Sequence, residues 1–387
     1  MPSFTRRGAL GALAGTAASL AGCSALGDRS NSLEYRWQTG ISESTPVVGT
    51  AAGPLVGSRS PFDDRPLVAG LDAATGDVTW SISVSKGRKS PIGVGDGRAY
   101  AFSKAETALA VDAETGETVW ERSLDRIDAA DPGVVQFAPV PFGDRVVLPI
   151  SGTEDDVPDR LEFLGREGGE RLATHELDAS LAGAPAVAGD RLVTPTLDGR
   201  LHGVDREATA DWSREVGAAM PAVAGRSGTA YATSGTERLL AVDAATGEVV
   251  WRGRLRNTGF APPLVTDDRV YVGGADYVLR AFDRASGEQM WQDGLDNAVT
   301  HGPMRVGDRL VTLVGGDVRV RGASGTVPFS PTELYVHALD GTRLRSISLR
   351  ESLEDVNVRW ASTANGGLYL GGTFEVVRLA SEVVADA

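Results

Sequence analysis

The chain has 387 residues, a formal net charge of −14 and a pI of about 4.8. With 52 acidic against 38 basic residues, it offers no basic stripe to neutralise phosphates, which excludes nucleic acid as a partner. Its one cysteine, Cys23, excludes a disulfide framework, so stability has to come from packing.

Residues 1–22 read as an export signal. Arg6 and Arg7 precede an apolar stretch, 8–22, that is too short to span a bilayer and has the charged start of a signal peptide. The twin arginines resemble those of the Tat pathway, and Leu20-Ala21-Gly22-Cys23 resembles a lipobox. The expectation is cleavage before Cys23, lipidation of that residue, and a polar tether over 23–32 that holds the rest of the chain at the outer face of the cytoplasmic membrane.

From residue 33 to 387 one pattern returns about every 40 residues. It is Ala-x-Asp-x-x-Thr-Gly-x-x-x-Trp, clear at 110–120 and 241–251, altered at 70–80 and 281–291, and degenerate at 164–172, 203–212 and 338–347. A fixed period of this size marks units that cannot bury their own apolar face and must stack on neighbours. Upstream of each motif a Pro opens an apolar run ending in a turn, as at Pro91, Pro139, Pro185, Pro263 and Pro303. Each unit therefore reads as four short strands, with Asp-x-x-Thr-Gly as the tight turn before the last.

Such units in series predict an all-β fold, an eight-bladed β-propeller of four-stranded antiparallel blades. The last unit starts near Trp360 and lacks a Trp strand, whereas Trp37 precedes the first complete unit. The N-terminal strand around Trp37 is therefore expected to close the ring and remove two open sheet edges.

The repeat resembles the PQQ-like β-propeller repeat family over residues 33 to about 380. In such propellers the motif tryptophans dock between blades, so that role is expected for Trp37, Trp80, Trp120, Trp212, Trp251 and Trp291. The resemblance opens two functional classes. Quinone-dependent dehydrogenases of the family hold PQQ in the funnel beside a metal ion and an aspartate base, and several close a disulfide ring over it. BamB-like propeller lipoproteins are non-enzymatic scaffolds. This chain has no cysteine after Cys23 and lacks the long insertions of the enzymes, so no cofactor, PQQ included, no metal site and no catalytic residue is expected.

Lysine is confined to Lys86, Lys89 and Lys104. An acidic, lysine-poor composition resembles that of proteins from salt-adapted archaea, which makes the charge a property of habitat. His175, His202, His301 and His337 are scattered without metal-ligand spacing. The glycines at 93–97 fall on a recurrent hairpin turn and open no helix, so they are no nucleotide loop.

Extra length collects at 58–65, 151–160 and 315–331, between second and third strands, and at 125–137, 293–302 and 350–360, between blades. In a four-stranded blade these connections share one face, which becomes the expected recognition surface. Its candidates are Arg59, the acidic loop with Asp155, Asp156 and Asp159, His301, Arg319, Arg321, Arg359 and Trp360. The acidic loop suits either a hard cation or plain solvation. The arginines suit either anionic groups or surface charge balance. Trp360 stands where other blades carry Pro, and suits either contact with a sugar or peptide at the rim or packing of the closing blade.

The expected function is a lipid-anchored, extracytoplasmic, monomeric scaffold that binds an envelope protein or polymer. The alternatives are a PQQ-dependent dehydrogenase-like enzyme and a surface solute-binding protein.

Overall fold

The computed structural model describes residues 33–384 apart from 63–64, 85–86, 104–106, 125–136, 152–157, 218–221, 235–237, 258, 260, 316–330 and 350–357. Asn31–Ala387 form one compact unit. Eight four-stranded antiparallel sheets follow one another as blades. Blades one to seven span 48–82, 93–123, 140–176, 186–215, 223–254, 264–294 and 298–348, each with its strands in sequence order. Blade eight takes Trp360–Ala364, Gly367–Gly371 and Val376–Leu379 from the end of the chain and Tyr35–Thr39 from the start.

Burial explains the strand patterns. In blade two the second strand, Arg98–Ser103, and the third, Thr107–Asp112, are covered on both faces by neighbouring blades, so they read as nearly continuous apolar runs. The outermost strand, Thr118–Ser123, buries Trp120 alone. The closing strand pairs Trp37 with Arg378, Gln38 with Val377 and Thr39 with Val376, which confirms the predicted closure.

The seams between blades show what the repeat is for. Each motif indole lies against the Asp-x-x-Thr-Gly turn of the next blade. Trp37 Nε1 donates to Ala73 O at 3.1 Å, Trp120 to Arg166 O at 2.9 Å, Trp212 to Ala244 O at 2.8 Å, Trp251 to Arg284 O at 2.9 Å and Trp291 to Leu339 O at 3.2 Å. The turn glycine is pressed against the ring. A methyl group added at Gly76 would lie 2.4 Å from Trp37, and one at Gly116 2.5 Å from Trp80. These glycines also sit at φ of +79° and +75°, so both the backbone and the indole demand Gly. The turn Asp holds it shut: Asp112 Oδ1 accepts from the Glu114 and Thr115 amides and from Thr115 Oγ1. Those donors keep the Asp112 carboxyl below the usual carboxylate range.

The exceptions follow the same logic. Blade three carries Ala173 in the Trp register, and the facing turn of blade four has Ala208, at φ +66°, where the others have Gly. With no indole to meet, a Cβ fits, and His175 Nδ1 contacts Ala208 O at 3.1 Å instead. Blade seven carries Arg345 in the Trp register, and blade eight has no third-to-fourth turn to receive a Trp. That seam is filled by Ile347, Leu349, Val383 and Val384, with Arg345 donating to the Glu382 and Val383 carbonyls.

One expectation fails. The connection over 293–302 is not an enlarged loop: the last strand of blade six runs to Gly294 and the first strand of blade seven, Ala298–Val306, already begins three residues beyond 295. The extra length forms a longer first strand with irregular register around His301, and Pro303 lies inside it rather than at its head.

Candidate binding face

Because consecutive strands in every blade are antiparallel, all second-to-third connections emerge on the same face as the blade-to-blade connections. The described part of this face is apolar at its tips. Among the described residues ten large hydrophobics are exposed to solvent, of which Tyr35, Val78, Val119, Leu172, Val250 and Met290 lie singly on outermost strands around the rim. The other four, Phe62 at 66 %, Leu197 at 41 %, Tyr277 at 48 % and Phe374 at 70 % exposure, are all in second-to-third loops. Scattered rim residues need no explanation, but large apolar groups gathered at loop tips of one face do.

Two of these loops are tied together. The Glu43 amide donates to Thr373 O at 2.8 Å, beside Phe374, and Glu43 O accepts from the Arg59 amide at 2.8 Å, in the loop that carries Phe62. The Phe62 loop is held from below by Lys89. Its side chain is wholly buried, and Nζ donates to Ser60 O at 2.7 Å and to Phe62 O at 2.8 Å. A buried ammonium is tolerated only where carbonyls replace its water, so Lys89 and the loop fix each other.

The predicted face residues divide by placement. Arg59 is partly exposed, and its guanidinium is held below the usual arginine range by burial and, next, by Arg88. Arg359 is exposed, and its carbonyl meets His301 Nε2 at 3.1 Å, while His301 Nδ1 meets Thr300 Oγ1 at 3.1 Å. His301 thus joins blades seven and eight, and burial lowers its basicity although the Arg359 carbonyl opposes this. Two candidates are turned inward and are withdrawn from the surface. Asp159 is 6 % exposed and its Oδ2 accepts the Leu181 amide at 2.6 Å, bracing blade three against blade four. Trp360 is 8 % exposed, with Nε1 on Ser44 O at 2.9 Å, and packs with Trp37, Val47 and Val56 across the seam of blades eight and one. Cys23, Arg6, Arg7, Asp155, Asp156, Arg319 and Arg321 lie outside the described residues.

A family model described as outer membrane protein assembly factor BamB matches residues 29–157 and 209–359. The chain belongs to this PQQ-like propeller family. Among solved structures, BamB from Moraxella catarrhalis is 18 % identical and superimposes with a TM-score of 0.60 over 88 % of this chain and 99 % of that one. The computationally designed Ika8 protein is 13 % identical, with a TM-score of 0.65 over 90 % of this chain and all (100 %) of that one. At such identities the likeness is one of fold. No curated protein matches the sequence.

Among the described residues no group of three or more His, Cys, Asp or Glu is arranged to hold a metal ion. A cluster of titratable groups lies in blade seven. Tyr335 Oη donates to Glu333 Oε2 at 2.8 Å and contacts Asp296 Oδ2 at 2.5 Å, while Asp293 Oδ2 meets His337 Nε2 at 2.7 Å and Arg343 Nε at 2.8 Å. Burial, then its two carboxylate partners, raises the Tyr335 phenol, and burial lowers His337 despite Asp293. His337 is wholly buried, and the cluster ties the third and fourth strands of blade seven to the end of blade six. The repeat pattern singles out neither Lys89 nor the four loop-tip hydrophobics; the available signal is one of three lysines in a lysine-poor chain and large apolar residues inside polar turns.

Proposed function

We propose that this propeller is a non-enzymatic scaffold that binds a protein partner of the cell envelope through the face bearing Phe62, Leu197, Tyr277 and Phe374. The observation that carries the reading is that the large hydrophobics exposed in described loops all fall on one face, which also carries Arg59 and Arg359. Aromatic groups and arginine are the residues that most often supply binding energy at protein interfaces. Family membership supports a protein-binding role, since the matching model is that of an assembly factor. Export through Arg6 and Arg7 and lipidation at Cys23 would present this face outside the cytoplasmic membrane, and both belong to the proposal.

The reading is tested with the protein at its native surface. F62S/F374S should lose co-purification of a discrete partner without a change in melting, whereas V250S/M290S on the rim should retain it. Equal retention by both variants would overturn the proposal. A quinone-like absorbance in the exported protein, with calcium-dependent oxidation of alcohols or sugars, would replace it with the dehydrogenase reading.

A further inference from the structure

The seam between blades five and six opens on the outer wall into a cavity of about 440 Å³ lined by Arg254, Arg256, Arg280, Gln289 and Gln292. It is an open cleft, and four of its five lining residues, all but Arg280, are exposed. Three guanidinium groups in one cavity run against the composition of a chain whose net charge is −14. Only one of them is neutralised. Arg280, buried in the strand Val278–Asp283, is gripped by Asp276 through Nη1 to Oδ1 at 3.1 Å and Nη2 to Oδ2 at 2.5 Å. Arg254, which ends the strand Val249–Arg254, and Arg256 are exposed, and neither side chain has a carboxylate partner among the described residues. Arg254 also faces Arg238 directly across the strand pair, a like-charge arrangement that disfavours the empty site. Opposite the arginines, Gln289 Nε2 donates to Gln292 Oε1 at 3.3 Å, which leaves the Gln289 carbonyl and the Gln292 amide N–H groups for a ligand.

We propose that this cavity binds a sugar-sized anion, with a phosphate, sulfate or carboxylate group taken by Arg254 and Arg256 and hydroxyl groups taken by the two glutamine amides. Arginine forks match the paired oxygens of such groups, and the amides both donate and accept as hydroxyls do. The same chemistry is offered by a free sugar acid and by a repeating unit of an anionic polymer. The site is independent of the loop-tip face.

Calorimetric titration of the whole protein at constant ionic strength tests this, with glucose 6-phosphate, glucuronate and glucose as probes. At least one of the two anions should bind at a single site and glucose should not. R254Q/R256Q should lose about tenfold or more of the affinity, the scale of one charge-assisted fork. R252Q removes an exposed arginine of the same strand that does not line the cavity, and it should leave the affinity unchanged. Absence of anion binding, equal binding of glucose, or equal losses in R252Q and R254Q/R256Q would overturn the proposal. Dextran sulfate distinguishes the sources: binding tighter than that of the monomers and lost in R254Q/R256Q assigns the site to a polymer, and binding of monomers alone assigns it to a free solute.

Discussion

The indole of Trp37 lies on Gly76, so the strand that completes the last blade is also docked on the turn of the first. One residue therefore closes both a sheet and a ring. Trp37→Ala should cost about 3–5 kcal/mol, the usual range for removing a buried tryptophan. Denaturant unfolding checks this, and a loss below about 1 kcal/mol would mean that Trp37 does not carry the closure.

The seams predict a contrast between two turns. Gly247→Ala places a methyl group against Trp212 at a positive φ, and should cost about 2–4 kcal/mol. Ala208→Gly, in the turn that faces no indole, should cost under about 1 kcal/mol. Similar losses at both positions would contradict the account of why the turn carries glycine.

Lys89→Met should destabilise the protein by about 2 kcal/mol, because the buried Ser60 carbonyl and the part-buried Phe62 carbonyl lose their donor. It should also loosen the loop of Phe62, raising proteolysis there while the Phe374 loop stays protected. Unchanged cleavage would show that Lys89 does not hold that loop.

Two buried histidines, His202 and His337, and the half-buried His301 set a pH dependence. His202, His301 and His337 all have basicities lowered from 6.5, with burial the largest cause in each. The unfolded chain then takes up protons that the folded chain resists, so their contribution is full above about pH 6.5 and falls as the pH drops below it. Surface carboxylates also respond to pH, so the comparison is with His301→Gln, whose loss of melting temperature between about pH 7.5 and 5.5 should be smaller than that of the parent. An equal or larger loss would contradict the assignment.

The ring was legible because Trp and Gly are two sides of one contact and recur together at a fixed spacing, and because Trp37 stood where no first unit could own it. The face was legible only in part. Which loops share it follows from strand order, but which way a loop side chain turns is decided by partners distant in sequence. Asp159 is drawn inward by the Leu181 amide and Trp360 by the Ser44 carbonyl. Extra residues before Pro303 looked like a loop because an irregular strand and a loop have the same composition. The arginine cleft leaves a trace in Arg254, which ends an outer strand, and Arg256 just beyond it, yet its other wall of Arg280 and the glutamines comes from the neighbouring blade.

The central claim is that the loop-tip face is the docking surface. Photo-crosslinking residues placed singly at Phe62, Tyr277 and Phe374, and at Val250 and Met290 on the rim, test it at the native surface. The account predicts one discrete crosslinked partner common to the loop positions and none at the rim. The same partner captured from the rim, with the loop positions silent, would contradict it.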